Sequence, residues 1–323
     1  MATIDGVLRV RASSTDIGSP RAAKAWHSPQ RRSPGSVIIG EMVRIFGGGD
    51  ETAKLARRPE ALAASLGVRP KEGLEWLGRA PDGRLGLLAR LLLGAGGLLL
   101  FRLGRIRLTV EGREHLPESG YLVAAALHRG WIDPLVVIRA LPAEPRPWFI
   151  GSGPSTFDRR WKETLLRRVG GILPVWRGGV SVDEHVAATR AVVDAGCPYV
   201  IFIEGGTAGP PDRLHRVRSG VGLAALRLDG MPIVPFALAG SDDLYRGKRI
   251  GARIGPPITA AELLGDAMPA RPPEPGSREE LRLARLVTER LAERIEAAVA
   301  EMYPGTVDPP EAARPWRWLR RLF

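Results

Sequence analysis

The sequence predicts an α/β protein built on a single central β-sheet with helices on its faces, and three observations predict it. Short apolar runs recur at 121–127, 148–152, 172–175, 199–203, 233–238 and 249–254. Helical patterns separate the earlier runs, the alternation expected of a βαβ chain. The 323 residues are 44% hydrophobic and 25% charged, which suits one elaborated domain with a sizeable core and excludes a polytopic membrane protein.

Residues 1–36 carry Ser, Pro and Arg with little apolar periodicity and read as a flexible leader without a secretory signal. A cytoplasmic-side location follows as the expectation. Residues 37–103 read as an N-terminal helical region, first short helices broken at Gly47-Gly48-Gly49 and Arg69-Pro70, then the apolar segment 85–103. Arg90 lies inside that segment, Arg102 lies at its very end, and Arg84 and Arg105 flank it. A spanning helix needs ~20 apolar residues, so the stretch better suits a helix lying in one leaflet, with a buried core helix as the alternative.

The expected catalytic domain covers 104–265. Strand 121–127 leads to a helix from about Pro134, and strand 148–152 to a helix at 159–169. Strand 172–175 leads to a helix opened by Ser181 and Glu184 at capping-box spacing, then to strand 199–203. Strands 233–238 and 249–254 follow, and Pro256-Pro257 closes the sheet region. Ser277 and Glu280 mark a second capping box for a C-terminal helix at 277–303, stopped by Tyr303-Pro304-Gly305. The tail 304–323 ends in RPWRWLRRLF, where arginines alternate with Trp316, Trp318, Leu319, Leu322 and Phe323, a pattern suited to an interfacial anchor.

The formal net charge of +12 favours anionic partners: phospholipid head groups, acidic carrier proteins or nucleic acid. Nucleic acid is set aside, because no helix-turn-helix, RNP-like or zinc-knuckle pattern accompanies the charge. The sole cysteine, Cys197, offers no disulfide or CxxC site and reads as a buried thiol. No metal-ligand cluster is visible.

Of the five histidines, His128 has an aspartate five residues on, in LHRGWIDP, where an apolar strand gives way to a helix. Asp133 before Pro134 suits the helix start, and either merely caps it or also orients the imidazole of His128 as a base. Backbone N–H groups at Gly130 or at the helix start are candidate donors to an oxyanion. No G-x-S-x-G elbow supports a serine hydrolase.

Further blocks extend this spacing: GGILPVWR to Arg177, FIEGG at 202–206 followed by Thr207, RSG at 218–220, MPIVPFALAG with Pro232 and Pro235, and GARIGPPI. In order and spacing across 104–260 they resemble the lysophospholipid acyltransferase family, which includes 1-acylglycerol-3-phosphate acyltransferases. The resemblance implies a glycerol-3-phosphate acyltransferase-like fold with a mixed sheet, His128 as general base and Asp133 as its orienter. It also implies a substrate-binding set of Arg177, Glu204, Gly205, Gly206, Thr207 and Arg218, with Arg177 on the acceptor phosphate. Acyl-CoA or acyl carrier protein would be the donor and co-substrate, with no cofactor, and a lysolipid the acceptor. The expected setting is the cell membrane, peripheral or monotopic, on its cytoplasmic side. Thr207 stands where the family commonly carries arginine, leaving Arg213, Arg216 or Arg218 to supply that charge, or pointing to a non-phosphorylated or glycosylated acceptor. Leu127 replaces the usual small polar residue before the histidine. A catalytically silent, membrane-associated lipid-binding protein is the remaining alternative. Oligomeric state is open.

Overall fold

The structure, a computed structural model, describes residues 84–142, 145–152, 159–169, 171–175 and 182–307. The leader, the whole short-helix region, Arg177, Ser181 and the tail from 308 onward lie outside them.

The apolar segment forms one helix, α1 (Arg84–Leu103), and Leu98 and Phe101 on one side of it are buried. The Arg139 guanidinium lies 5.0 Å over the Phe101 ring, tying α1 to the domain. No helix among the described residues is long and apolar enough to cross a membrane.

Seven described strands then form one mixed sheet: β1 (Arg107–Glu111), β2 (Leu122–Ala126), β3 (Trp148–Ser152), β4 (Ile172–Val175), β5 (Tyr199–Phe202), β6 (Ile233–Ala239) and β7 (Arg249–Ile254), in the order β1-β7-β6-β2-β5-β3-β4. β2 pairs in parallel with both β5 and β6, and β7 runs antiparallel to β6. Intervening helices are α2 (Asp133–Ala140), α3 (Arg160–Val169), α4 (Val182–Asp194) and α5 (Gly220–Arg227). β2, β5 and β6 are buried at every residue, which explains their unbroken apolar composition: a central strand covered on both faces has no solvent side to mark with polar residues. Pro235 is tolerated inside β6 because the ladder with β7 ends at the Phe236–Ile254 pair, one residue short of the missing N–H.

α6 (Ala260–Leu264) begins with a capping box between Thr259 and Glu262. α7 (Arg278–Thr306) packs on α5 and β6. Two expectations are corrected here. Ser277 accepts from the Glu280 amide, but the Glu280 carboxylate takes the Gly276 N–H and Arg227, while the Ser277 N–H goes to Glu274, so the box is half made. The helix also passes Pro304 and ends at Thr306. So close to a helix end, proline costs one intrahelical bond and no following turn.

Candidate active site

The carboxyl ends of β2 and β5, adjacent parallel strands, bring two loops together, the usual place for a ligand site in an open α/β sheet. After β2 the chain turns sharply. Leu127, buried at 1% exposure, has φ of 62°, a left-handed conformation that costs a branched residue on the order of 1–3 kcal/mol. The turn is held because the next backbone N–H, that of His128, donates to Glu204 Oε2 at 2.9 Å instead of continuing the ladder.

Asp133 opens α2 and is fully buried. Its Oδ2 lies 2.7 Å from His128 Nδ1 and accepts the backbone N–H of Arg129 at 2.6 Å and of Gly130 at 2.8 Å. An oxygen already receiving two amide protons is an acceptor at this contact as well, so Nδ1 is the donating nitrogen and Nε2 is the one not engaged by Asp133. The imidazole, 19% exposed, stacks on Phe202 at 4.0 Å between centroids and 16° between planes. The ring is therefore fixed from its edge by a carboxylate and from its face by an aromatic.

Glu204 lies beneath this turn. Its carboxylate accepts the His128 N–H, both Nη groups of Arg129 at 2.9 Å and the His215 N–H at 3.3 Å. Four donors fill the capacity of a carboxylate, and the side chain is only 2% exposed.

Gly205 then turns with φ of 64°, and a Cβ there would stand 2.3 Å from Arg218 Cδ, so the absence of a side chain lets Arg218 lie across the turn. The Arg218 N–H donates to Ile203 O at 2.8 Å, closing the loop. Gly206, Thr207, Arg213, Arg216 and Arg218 are exposed on that loop. Among the described residues no group of three or more His, Cys, Asp or Glu is arranged to hold a metal ion.

Residues 107–239 match the family model described as Acyltransferase, a span that contains the His128 turn, the Glu204 loop and β2 to β6. The chain resembles that family over this span. It is also similar to the crystal structure of the 1-acyl-sn-glycerophosphate (LPA) acyltransferase, PlsC, from Thermotoga maritima, at 16% identity and a TM-score of 0.46, over 83% of this chain and 92% of that one. No curated protein sequence matches.

Within residues 107–239, His128 and Asp133 are in contact, Glu204 is bonded to the His128 turn, and Gly205, Gly206, Thr207 and Arg218 lie on the loop that Glu204 begins. Two of the expected site groups are engaged within the protein. The Gly130 N–H donates to Asp133, which leaves the amides at the start of α2 as the expected oxyanion donors without that bond. Glu204, expected to bind substrate, accepts hydrogen bonds from His128, Arg129 and His215 of the protein itself. Two contributors escaped the sequence reading: Phe202, whose stacking on His128 no spacing reveals, and Arg129, a cation beside the histidine whose destination depends on side-chain direction.

Proposed function

We propose that this chain is an acyltransferase that moves a fatty acyl group from acyl-CoA or acyl carrier protein to the hydroxyl of a lysophospholipid, with His128 as base. The observation that carries the reading is the 2.7 Å contact between His128 Nδ1 and buried Asp133, which leaves Nε2 as the free basic nitrogen of a partly exposed ring. Nε2 would take the hydroxyl proton as the acceptor oxygen attacks the thioester carbonyl. Collapse of the tetrahedral intermediate expels the thiolate, which recovers that proton from the imidazolium. Such general-base assistance is worth about 10²–10⁴ in rate. All of this uses groups of the chain and its two substrates.

Thr207 stands where the resembled family carries a cation, and Arg218 reaches the same turn from the far end of the loop. Exposed and without an acidic partner among the described residues, Arg218 is our candidate for the acceptor phosphate, with Arg177 as a second cation. A non-phosphorylated or glycosylated acceptor is the competing reading, favoured by Thr207 itself.

We further propose that α1 rests on an anionic membrane surface as a peripheral or monotopic element on the cytoplasmic side. Leu92, Leu99 and Leu103 are 64%, 55% and 68% exposed at helical spacing, and Trp161 on neighbouring α3 is 49% exposed. Exposed Arg102, Arg105 and Arg160 flank this apolar face, the arrangement of an interfacial helix. Leu92→Glu with Leu99→Glu should abolish co-sedimentation with anionic vesicles; retained binding would remove α1 from the membrane contact.

The deciding assay incubates purified protein in detergent or liposomes with long-chain acyl-CoA or acyl carrier protein and a panel of phosphorylated and neutral lysolipids, following thiol release. Acceptor-dependent release lost in His128→Ala is the expected result, and the panel names the acceptor. No acceptor-dependent release with either donor, or release untouched by the mutation, would favour a catalytically silent lipid-binding protein.

A further inference from the structure

Arg129 follows the proposed base directly, where a cation invites a role in gripping an anionic substrate. Its geometry excludes that role. A guanidinium has five N–H donors, and here every one is spent on the protein. Nε donates to Pro210 O at 2.7 Å, Nη1 to His128 O at 3.0 Å and Glu204 Oε2 at 2.9 Å, and Nη2 to Glu204 Oε1 and Arg213 O, both at 2.9 Å. The side chain is 4% exposed.

The four acceptor residues fall on two loops. His128 belongs to the turn after β2; Glu204, Pro210 and Arg213 belong to the loop after β5 that carries Arg218. Neither loop has a strand ladder of its own to hold it. Gly209, with φ of 142°, lies against this clasp: a Cβ there would meet Arg129 Nη2 at 3.1 Å and His215 Cβ at 2.7 Å. The loop thus closes around the guanidinium as well as being bonded by it.

We propose that Arg129 is a positioning residue that fastens the His128 turn to the 204–218 loop, so that the base and the acceptor-binding arginine are held as one unit. The inference rests on the proposed role of His128 in acyl transfer. Lysine keeps the charge but lacks the planar, five-donor fork, so Arg129→Lys should not substitute. Misplacement by about 1 Å can cost about 10²-fold in rate, and that is the fall in kcat expected for Arg129→Ala, with acceptor KM raised and thioester KM little changed.

The experiment has two arms. In the first, full-length Arg129→Ala and Arg129→Lys are assayed for transfer beside the wild type, with and without millimolar guanidinium chloride against sodium chloride at equal ionic strength. Guanidinium, and not sodium, should restore much of the Arg129→Ala activity. In the second, hydrogen exchange is followed in both variants: amides at 127–133 and at 204–218 should lose protection together while β2 and β5 keep theirs. If Arg129→Ala does not fold, Arg129→Lys carries both measurements and should lose kcat while folded. Wild-type kcat in a folded variant, absence of guanidinium rescue in folded Arg129→Ala, or exchange rising in one loop alone would overturn the proposal. If the wild type transfers no acyl group, the exchange arm still decides whether the loops are coupled, and the failure then belongs to the functional reading.

Discussion

Two arginines make bidentate pairs with carboxylates that are 2% exposed, and they serve different ends. Arg129 and Glu204 join two loops at the carboxyl end of the sheet. Arg227 and Glu280, with Nε–Oε1 at 2.6 Å and Nη2–Oε2 at 2.8 Å, join the end of α5 to the first turn of α7, and Asp183 of α4 adds a third contact. The helices around the second pair have their own hydrogen bonds and a shared apolar interface, so the pair adds stability to elements already in place. Around the first pair there is no ladder, and the same chemistry determines geometry. Between two pairs that are both buried, placement decides whether a break is felt in stability alone or in stability and rate together.

The largest effect should come from Glu204→Ala. It leaves Arg129 buried without a counter-charge, and removing one partner of a buried pair costs about 3–5 kcal/mol. Urea unfolding should show that loss, and the activity of the molecules that remain folded should fall as well. Glu280→Ala should cost about 3 kcal/mol, the lower end, because Arg227 is 16% exposed and keeps Asp183. Its activity per folded molecule should match the wild type. Equal loss of specific activity in both variants would break the distinction between the two sites.

The Arg227 guanidinium and the Gly276 N–H hold the Glu280 carboxyl below its ordinary value of 4.5. A carboxyl depressed in the folded state contributes stability that is fully present above its unfolded value and is lost as pH falls through the folded one. The stability gap between wild type and Glu280→Gln should therefore be constant near neutrality and narrow below about pH 4.5. Unfolding free energies measured at several pH values test this, and a gap that widens in acid would remove the pair as its source.

The strands at 148–152, 172–175 and 249–254 are legible to the residue, because short, mainly apolar stretches bounded by Gly and Pro turn signals allow little else. β1 was missed: its residues alternate between exposed and half-buried at the sheet edge, and RLTVE carries charge at both ends. α5 was missed for the opposite reason. GVGLAALR reads poorly as helix because glycine is the weakest helix former after proline, yet the packing requires it. The dyad was visible as His128 and Asp133 because its partners are close in sequence. The clasp between Arg129 and Glu204 crosses 75 positions, and no local pattern encodes where a guanidinium will point.

Gly222 sharpens the comparison on the stability side. A Cβ there would stand 1.9 Å from Ala284 O and 2.8 Å from Thr288 Oγ1, both on α7, so Gly222→Ala must push α5 and α7 apart. Overpacking of this kind costs about 1–3 kcal/mol, and thermal melting should show it with specific activity retained in the folded fraction.

The smallest effect belongs to Arg253, which bridges Glu111 and Glu301 across β1, β7 and α7. Arg253 is 28% exposed and its partners 52% and 69%, so solvent and salt screen both pairs and the contribution of such a bridge is about 1 kcal/mol or less. Arg253→Ala should lower stability by no more than that, and the difference should fade in high salt, whereas the losses at Glu204 and Glu280 should persist. Unfolding in low and high sodium chloride separates the cases. If the Arg253 loss were as large as the Glu280 loss and equally insensitive to salt, burial would not be what distinguishes these arginines, and the edge strand β1 would depend on its bridge as closely as α7 depends on its own.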